Sequence, residues 1–258
     1  MKIVGIDLGS RSVKIVTFLD EQMIDQKVID TAYFYRNYCK NTGEGIEVDF
    51  EKIGINNFDK IISTGYGRNN INIQNSKKMV ELKAHIYGAM WQTKLKDFIL
   101  LDVGGQDSKI ILVKNGKMQD IILNDKCAAS CGRYLENMSN VLGMSLEEMT
   151  KYSKNPVILN STCAIFSESE LIGKISEGVK LEELSAGVNY SLYCRIKPKL
   201  LNFSGDTLVV TGGVANNNAF IQFIKNENLY KEVIVPQFTQ LNGAIGCAVY
   251  GFLKFKEE

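Results

Sequence analysis

Apolar residues fall in short, nearly unbroken runs through the first third of the chain and at helical spacing through most of the rest. The runs predict strands over roughly 2–7, 12–19 and 26–35, a helical stretch around 44–54 and a further strand over 58–63. A helix is expected from about Ser76, whose hydroxyl would cap it, to Gln92. Strand patterns return at 98–102, 108–114 and 117–123. Asn115-Gly116 between the last two suits a tight hairpin, because both residues accept positive φ. Helical spacing then covers 130–142, 145–153, 164–176 and 181–202. The run TLVVTGG at 207–213 leads into a helix ending near Asn226, a short strand at 232–235 before Pro236, and a last helix from about Asn242 to Phe255. The order β-β-β-α-β-α at the start recurs in large part from residue 98, which predicts two related α/β subdomains.

The recurrence extends to single residues. IDLGSRSVKIV at Ile6 to Val16 aligns without a gap on LDVGGQDSKII at Leu101 to Ile111, matching Asp7 with Asp102, Gly9 with Gly104 and Lys14 with Lys109. Each copy is an apolar strand that delivers a carboxylate into a glycine turn and returns through a lysine. Bare backbone N–H groups beside a carboxylate suited to Mg²⁺ are what a phosphate chain requires. One Asp-x-Gly turn also closes ordinary hairpins; two in register point to a duplicated domain whose halves face one nucleotide.

Residue roles follow from that reading. Gly9, Ser10, Arg11 and Ser12 form the first turn, where glycine permits close phosphate approach. Lys14 would neutralise the terminal phosphates, the alternative being a surface lysine on a plain hairpin. In the second turn, Gly104 and Gly105 supply the bend, and Gln106 and Asp107 point from its tip. Asp102 would hold Mg²⁺ through water, and Gln106 either orients an attacking water or is a solvated turn residue. A third glycine site, VTGGVANN at Val210 to Asn217, ends a β-branched strand and opens a helix. Gly212, Gly213 and Asn216 there suit a nucleotide edge or ribose.

Composition narrows the classes. A chain of 258 residues forms one large domain or two modest ones, and 45% hydrophobic with 23% charged residues is ordinary for a soluble protein. A net charge of +1 gives no electrostatic case for nucleic-acid or anionic-membrane binding. No apolar run reaches spanning length, and the run in MKIVGIDLG stops at Asp7 with no cleavage site, so a cytoplasmic protein is expected. His85, the single histidine, sits between Ala84 and Ile86 on a predicted helix and reads as structural. Trp91, Phe34, Tyr35 and Tyr38 read as packing. Thr64-Gly65-Tyr66-Gly67-Arg68 closes a strand as a loop, its Arg68 suited to a phosphate or a partner surface.

In a reducing compartment the six cysteines are core fillers, redox groups or metal ligands rather than a disulfide scaffold. Cys39, Cys194 and Cys247 sit singly among apolar or helical residues and read as core. Cys127 in NDKCAASCGRYLENM and Cys163 in STCAIFSESELIG each precede a predicted helix, whose N-terminus favours a thiolate. Cys131 falls one helical turn after Cys127. The absence of a CxxC pair argues against a zinc ribbon within one chain. A cubane iron–sulfur cluster needs about four thiolates; two per chain suffice where two chains meet on a symmetry axis. Spacing alone favours buried, inert thiols.

Taken together, GIDLGSRSVK, STGYGR, LDVGGQDSK, NDKCAASCGRYLE, CAIFSESELI and TGGVANNNAF resemble the activator ATPases of 2-hydroxyacyl-CoA dehydratases, kin of the ATP-hydrolysing subunits of benzoyl-CoA reductase. The segments occur in the family's order and span nearly the whole chain. The resemblance implies an α/β, actin-like (ribonuclease H-like) duplicated fold, as in acetate and sugar kinases and actin, with two subdomains around a nucleotide cleft. Their expected extents are residues 1–96 with a returning helix at 241–258, and 97–240. It further implies ATP/ADP and Mg²⁺ at the glycine turns, with Asp7, Asp102 and Gln106 catalytic. A homodimer would share one 4Fe–4S cluster held by Cys127 and Cys163 of each copy. Ferredoxin or flavodoxin would donate the electron, and an acyl-CoA dehydratase or related reductase would receive it. Where the family commonly has Gly-Thr after Cys-Ala-Ala, this chain has Ser130-Cys131. A sugar or carboxylate kinase of the same superfamily, without a cluster, is the alternative.

Overall fold

In the computed structural model, which describes residues 1–43, 45–65, 73, 76–124, 127–161 and 163–255, β1 (Lys2–Leu8) is buried from Ile3 to its end. That continuous burial marks a strand covered on both faces. β2 (Ser12–Leu19) returns antiparallel beside it, and β3 (Gln22–Asp30) forms the edge with alternating half-exposed positions. After α1 (Thr31–Tyr38) and a small ribbon of β4 (Cys39–Asn41) and β5 (Ile46–Val48), β6 (Lys60–Thr64) lies parallel to β1 and β7 (Ser76–Lys78) parallel to β6. The sheet order is β3-β2-β1-β6-β7. α2 (Glu81–Thr93) and the last helix, α8 (Asn242–Phe255), complete a unit of Met1–Lys96 with Gln240–Glu258.

The second unit, Asp97–Thr239, repeats this plan. β8 (Phe98–Val103), β9 (Ser108–Lys114) and β10 (Lys117–Asn124) form the antiparallel meander, and β11 (Thr207–Thr211) and β12 (Glu232–Ile234) extend it in parallel. The order β10-β9-β8-β11-β12 is the same with each strand moved to its counterpart, which makes the fold a duplicated, actin-like α/β architecture. Asn115 and Gly116 turn β9 into β10 at φ 51° and 70°, as that dipeptide permits. Between the meander and β11 run α3 (Gly132–Val141), α4 (Leu146–Met149), α5 (Ala164–Ser176) and α6 (Leu181–Leu200); α7 (Asn218–Asn226) precedes β12. Leu184, Val188, Leu192, Ile196 and Leu200 give α6 an apolar stripe at four-residue spacing, buried with Tyr134, Leu135 and Met138 of α3. Among the described residues, no helix is long and apolar enough to cross a membrane.

Four sequence expectations yield to local chemistry. The strand expected to Tyr35 stops at Asp30, whose carboxylate accepts from the Tyr33 N–H at 3.0 Å and caps α1. The helical stretch expected over 44–54 is strand β5 followed by turns, with Gly54 at φ 82°. Ser76 caps no helix: it pairs in β7 with Ile61 of β6, its hydroxyl 3.4 Å from that of Ser63, and α2 begins only at Glu81. The helix expected over 145–153 is the single turn α4, because Asn189 of α6 donates to the carbonyls of Met149 and Tyr152 at 2.8 and 3.0 Å and satisfies the chain there.

Candidate nucleotide site and cysteine loops

Asp7, next to the end of β1, pairs in register with Lys14 of β2, and Asp102 of β8 pairs with Lys109 of β9 in the same way. Lysine Nζ stands 3.5 Å from Asp7 Oδ2 in the first hairpin and 3.9 Å from Asp102 Oδ2 in the second. The two carboxylates are only 5% and 2% exposed, so each buried charge is kept by a facing cation. Thr211, opposite Asp102 in the parallel register, donates from Oγ1 to Asp102 Oδ1 at 2.7 Å. Asp107 does not point from the tip. It folds back to accept from Lys109 Nζ at 2.6 Å, which leaves Gln106 the exposed residue of the turn.

The first turn is shaped around its lysine. A Cβ on Gly9 would stand 2.6 Å from Lys14 Nζ and 2.7 Å from the Ser12 carbonyl oxygen, so any side chain would displace one of them. Thr31, the first residue of α1, donates from Oγ1 to the Gly9 carbonyl at 2.7 Å and ties the turn to that helix. Ser10 and Arg11 are exposed, Ser12 and Lys14 half-buried, and Arg11 pairs with Asp30 at 3.1 Å. α8 starts against Asp7, where a Cβ on Gly243 would lie 3.1 Å from Asp7 Oδ2. His85 is buried beside Glu81, and the buried Asn242 donates to its backbone carbonyl at 2.9 Å, the structural role its neighbours suggested.

The third glycine site follows β11. Gly212 has φ 86°, and a Cβ there would meet the Val103 carbonyl oxygen at 2.3 Å, so the strand-to-turn junction admits glycine alone. Its N–H donates to the Thr239 carbonyl, and Thr239 Oγ1 donates to Asn216 Oδ1 at 3.0 Å. Gly213 and Asn216, at the two ends of a single 3-10 turn, are exposed. Tyr66, Gly67 and Arg68 lie outside the described residues.

The segment of Cys127 and Cys131 adjoins the second hairpin. Cys127 is exposed and opens a 3-10 turn over Ala128–Ser130; Cys163 is half-buried and opens α5. Cys131 is not one turn along a helix from Cys127. It lies extended between the two helical segments, fully buried, with Sγ donating to the Ala128 carbonyl at 3.0 Å, and burial pushes its thiol pKa up. Directly after it, the N–H groups of Gly132 and Arg133 donate to the carbonyls of Gly104 and Gly105, both at 2.8 Å. The start of α3 is therefore bonded to the glycine turn of β8–β9. Of the three cysteines expected in the core, Cys247 is buried and Cys39 half-buried, but Cys194 is exposed on α6. The apolar stretch around it hides the solvent face from sequence.

Sequence reasoning left out Thr211 as a partner of Asp102; its place just before Gly212 was the available signal. Lys109 was visible through its match to Lys14.

A family model described as the BadF/BadG/BcrA/BcrD ATPase family matches residues 4–251. The chain belongs to this ATPase family. It is 33% identical over 270 residues to the 2-hydroxyisocaproyl-CoA dehydratase activator of Clostridioides difficile, covering 100% of this chain and 97% of that protein. It is also 33% identical over 258 residues to the (R)-2-hydroxyglutaryl-CoA dehydratase activating ATPase of Acidaminococcus fermentans, at 97% and 96% coverage. Among solved structures, the activator of the 2-hydroxyisocaproyl-CoA dehydratase from Clostridium difficile with bound ADPNP matches with a TM-score of 0.87 and 30% identity, over 100% of this chain and 96% of that one. The family resemblance and the actin-like fold expected from the motifs both hold.

Proposed function

We propose that this chain is an ATP-dependent reductive activator, which hydrolyses ATP to pass one low-potential electron to a partner 2-hydroxyacyl-CoA dehydratase or related reductase. Family membership and the named relatives support the reading. The observation that carries it is the pair of hydrogen bonds from Gly132 and Arg133 to Gly104 and Gly105. They connect a phosphate-type turn to the helix that follows Cys127, which gives the nucleotide turn a direct link to the cysteine segment.

In this reading Lys14 and Lys109 hold the charge of the terminal phosphates, and the N–H groups of Gly9, Ser10, Arg11, Ser12 and Gly105 line them, while the Gly104 N–H closes its turn on the Asp107 carbonyl at 2.9 Å. Gln106, exposed at its turn, orients the water whose oxygen adds to the terminal phosphorus as the anhydride bond breaks, giving ADP and phosphate. Gly212, Gly213 and Asn216 take the nucleoside. Asp7 and Asp102 hold Mg²⁺ through water, in line with that ion's preference for a partly hydrated shell completed by phosphate oxygens.

The thiols fit a 4Fe–4S cluster shared by two copies. Cys127 and Cys163 stand at the starts of helical segments and are exposed and half-buried. Among the described residues, no three His, Cys, Asp or Glu side chains gather into a metal-binding group. A cubane cluster takes about four thiolates, so in this reading each of two copies brings Cys127 and Cys163. Ile165 and Phe166, directly after Cys163, are 73% and 69% exposed, an apolar surface for that copy to cover. When bound, the cluster supplies a one-electron carrier filled from ferredoxin or flavodoxin. Raising an electron by a few hundred millivolts costs roughly 5–10 kcal/mol at ~1.4 kcal/mol per ~59 mV. Nucleotide hydrolysis covers that cost, whereas ordinary site-to-site coupling of about 1–3 kcal/mol does not.

Anaerobic purification tests the proposal. The expected result is a brown dimer with about four iron atoms that hydrolyses ATP and reduces an added dehydratase only while ATP lasts. A colourless ATPase that phosphorylates a sugar or carboxylate would overturn it.

A further inference from the structure

Arg195 lies in the C-terminal third of α6, outside every motif, yet its guanidinium joins the two cysteine segments. Nη2 donates to the Ser161 carbonyl at 2.6 Å and to Ser167 Oγ at 3.1 Å; Nη1 donates to Ser191 Oγ at 2.6 Å, within its own helix. Ser161 is two residues before Cys163. Ser167 closes the other side, its N–H and Oγ both donating to the Cys163 carbonyl at 2.9 Å. Glu170 of α5 completes the clamp by accepting from the N–H groups of Asn160 and Ser161 at 2.8 and 2.9 Å. The other face of the guanidinium lies over the ring of Tyr134, 4.5 Å from its centroid. Tyr134 is the third residue of α3, fully buried, and its N–H donates to the Cys131 carbonyl at 3.1 Å. A single planar cation thus stacks on the segment that follows Cys127 and bonds to the segment that precedes Cys163. Among the described residues, no carboxylate forms an ion pair with it.

We propose that Arg195 is a positioning residue that fixes the Cys127 and Cys163 segments to each other and supplies the positive charge between them. The inference rests on the shared-cluster reading above. Guanidinium suits the task because its flat fork accepts an aromatic face while donating in its plane, which an ammonium group does not reproduce. A cluster bound by four thiolates is an anion, so a nearby unpaired cation favours its reduced form and holds its potential up.

The test compares Arg195→Met and Arg195→Lys with wild type in three measurements. In metal-free protein, alkylation of Cys163 should accelerate on the order of 10-fold in Arg195→Met, the change that ~1.4 kcal/mol produces. In the iron-loaded dimer, a chelator should strip iron faster from both variants. The midpoint potential should fall in Arg195→Met and stay near wild type in Arg195→Lys, which keeps the charge but not the fork. ATP affinity should not change in either, because no glycine turn touches Arg195. Wild-type alkylation, chelation and potential in both variants would overturn the inference. If Arg195→Met fails to fold, Arg195→Lys still decides through faster chelation at unchanged potential. If wild-type protein takes up no iron, the shared-cluster reading fails, and the alkylation arm still decides whether Arg195 fixes the Cys163 segment.

Discussion

The N–H of Gly132 donates to the carbonyl of Gly104 at 2.8 Å, so the first residue of α3 is bonded to the glycine turn that closes β8. A helix N-terminus has backbone donors without partners inside the helix. Here two of them are spent on a turn rather than on a capping side chain. Any movement of that turn is expected to act on the segment of Cys127 to Cys131.

This relationship can be strained by one methyl group. A Cβ on Gly132 would lie 3.1 Å from the Gly104 carbonyl oxygen and 3.4 Å from Gly105 Cα, so alanine must push the turn away. Gly132→Ala is expected to bind ATP near the wild-type level but to turn over about 10-fold more slowly, a barrier change of ~1.4 kcal/mol. Steady-state ATPase assays beside nucleotide titration check this, and unaltered turnover would show that the turn does not report to α3.

Asp102 is the better carboxylate to neutralise. In Asp102→Asn, Lys109 keeps its 2.6 Å partner Asp107 and the Thr211 hydroxyl still faces an oxygen, so the fold is expected to survive. The charge that would hold Mg²⁺ is gone, and ATP hydrolysis should drop by ~100-fold or more. A folded Asp102→Asn protein with wild-type turnover would move the site elsewhere.

Gly212 carries a stability prediction. At φ 86° an alanine is strained by roughly 1–3 kcal/mol, and its Cβ would stand 2.3 Å from the Val103 carbonyl oxygen. Gly212→Ala is expected to lose at least about 3 kcal/mol in denaturant unfolding. Gly213→Ala, next in sequence and without positive φ, should unfold close to wild type.

Much of this was legible in the sequence because duplication shows twice. The gapless match of Asp7, Gly9 and Lys14 to Asp102, Gly104 and Lys109 became two hairpins with the same carboxylate-to-lysine register. α5 and α8 were readable to the residue because both have unbroken helical spacing between clear breaks. The segment 39–55 was not, because its order comes from tertiary burial of Val48, Ile53 and Ile55 rather than from periodicity. Nor was Arg195, since a guanidinium that joins distant segments leaves no local pattern. The place of Cys131 escaped because the 3-10 turn before it breaks the helical spacing that the sequence suggested.

Thiol chemistry separates the cysteines by environment. Burial raises the Cys131 and Cys247 thiols, Cys247 also by the nearby Asp7 charge. An unfolded thiol titrates near ~8.5, below the folded value, so above that pH the unfolded chain loses its protons first and stability falls as pH rises. In metal-free protein at pH 8, Cys127 and Cys194 should alkylate first, and Cys131 and Cys247 only on unfolding. Peptide mapping reads this directly, and early labelling of Cys131 would contradict its burial.

The last prediction separates ligands from neighbours among the same thiols. Cys127 and Cys163 sit at the exposed or half-buried starts of helical segments, while the Cys131 side chain turns inward to the Ala128 carbonyl. A cluster completed by a second copy needs thiols that reach the surface, so Cys127→Ser and Cys163→Ser are each expected to lose the cluster. ATP binding should survive in both, because the glycine turns use neither residue. Cys131→Ser should keep its iron: serine preserves the bond to Ala128, and the cost is confined to burying a more polar group, about 1–3 kcal/mol of stability. Iron and sulfide analysis of the three proteins, purified without oxygen, decides the matter. Full iron content in Cys163→Ser would return that thiol to a structural role, and loss of iron in Cys131→Ser alone would make the buried cysteine the ligand.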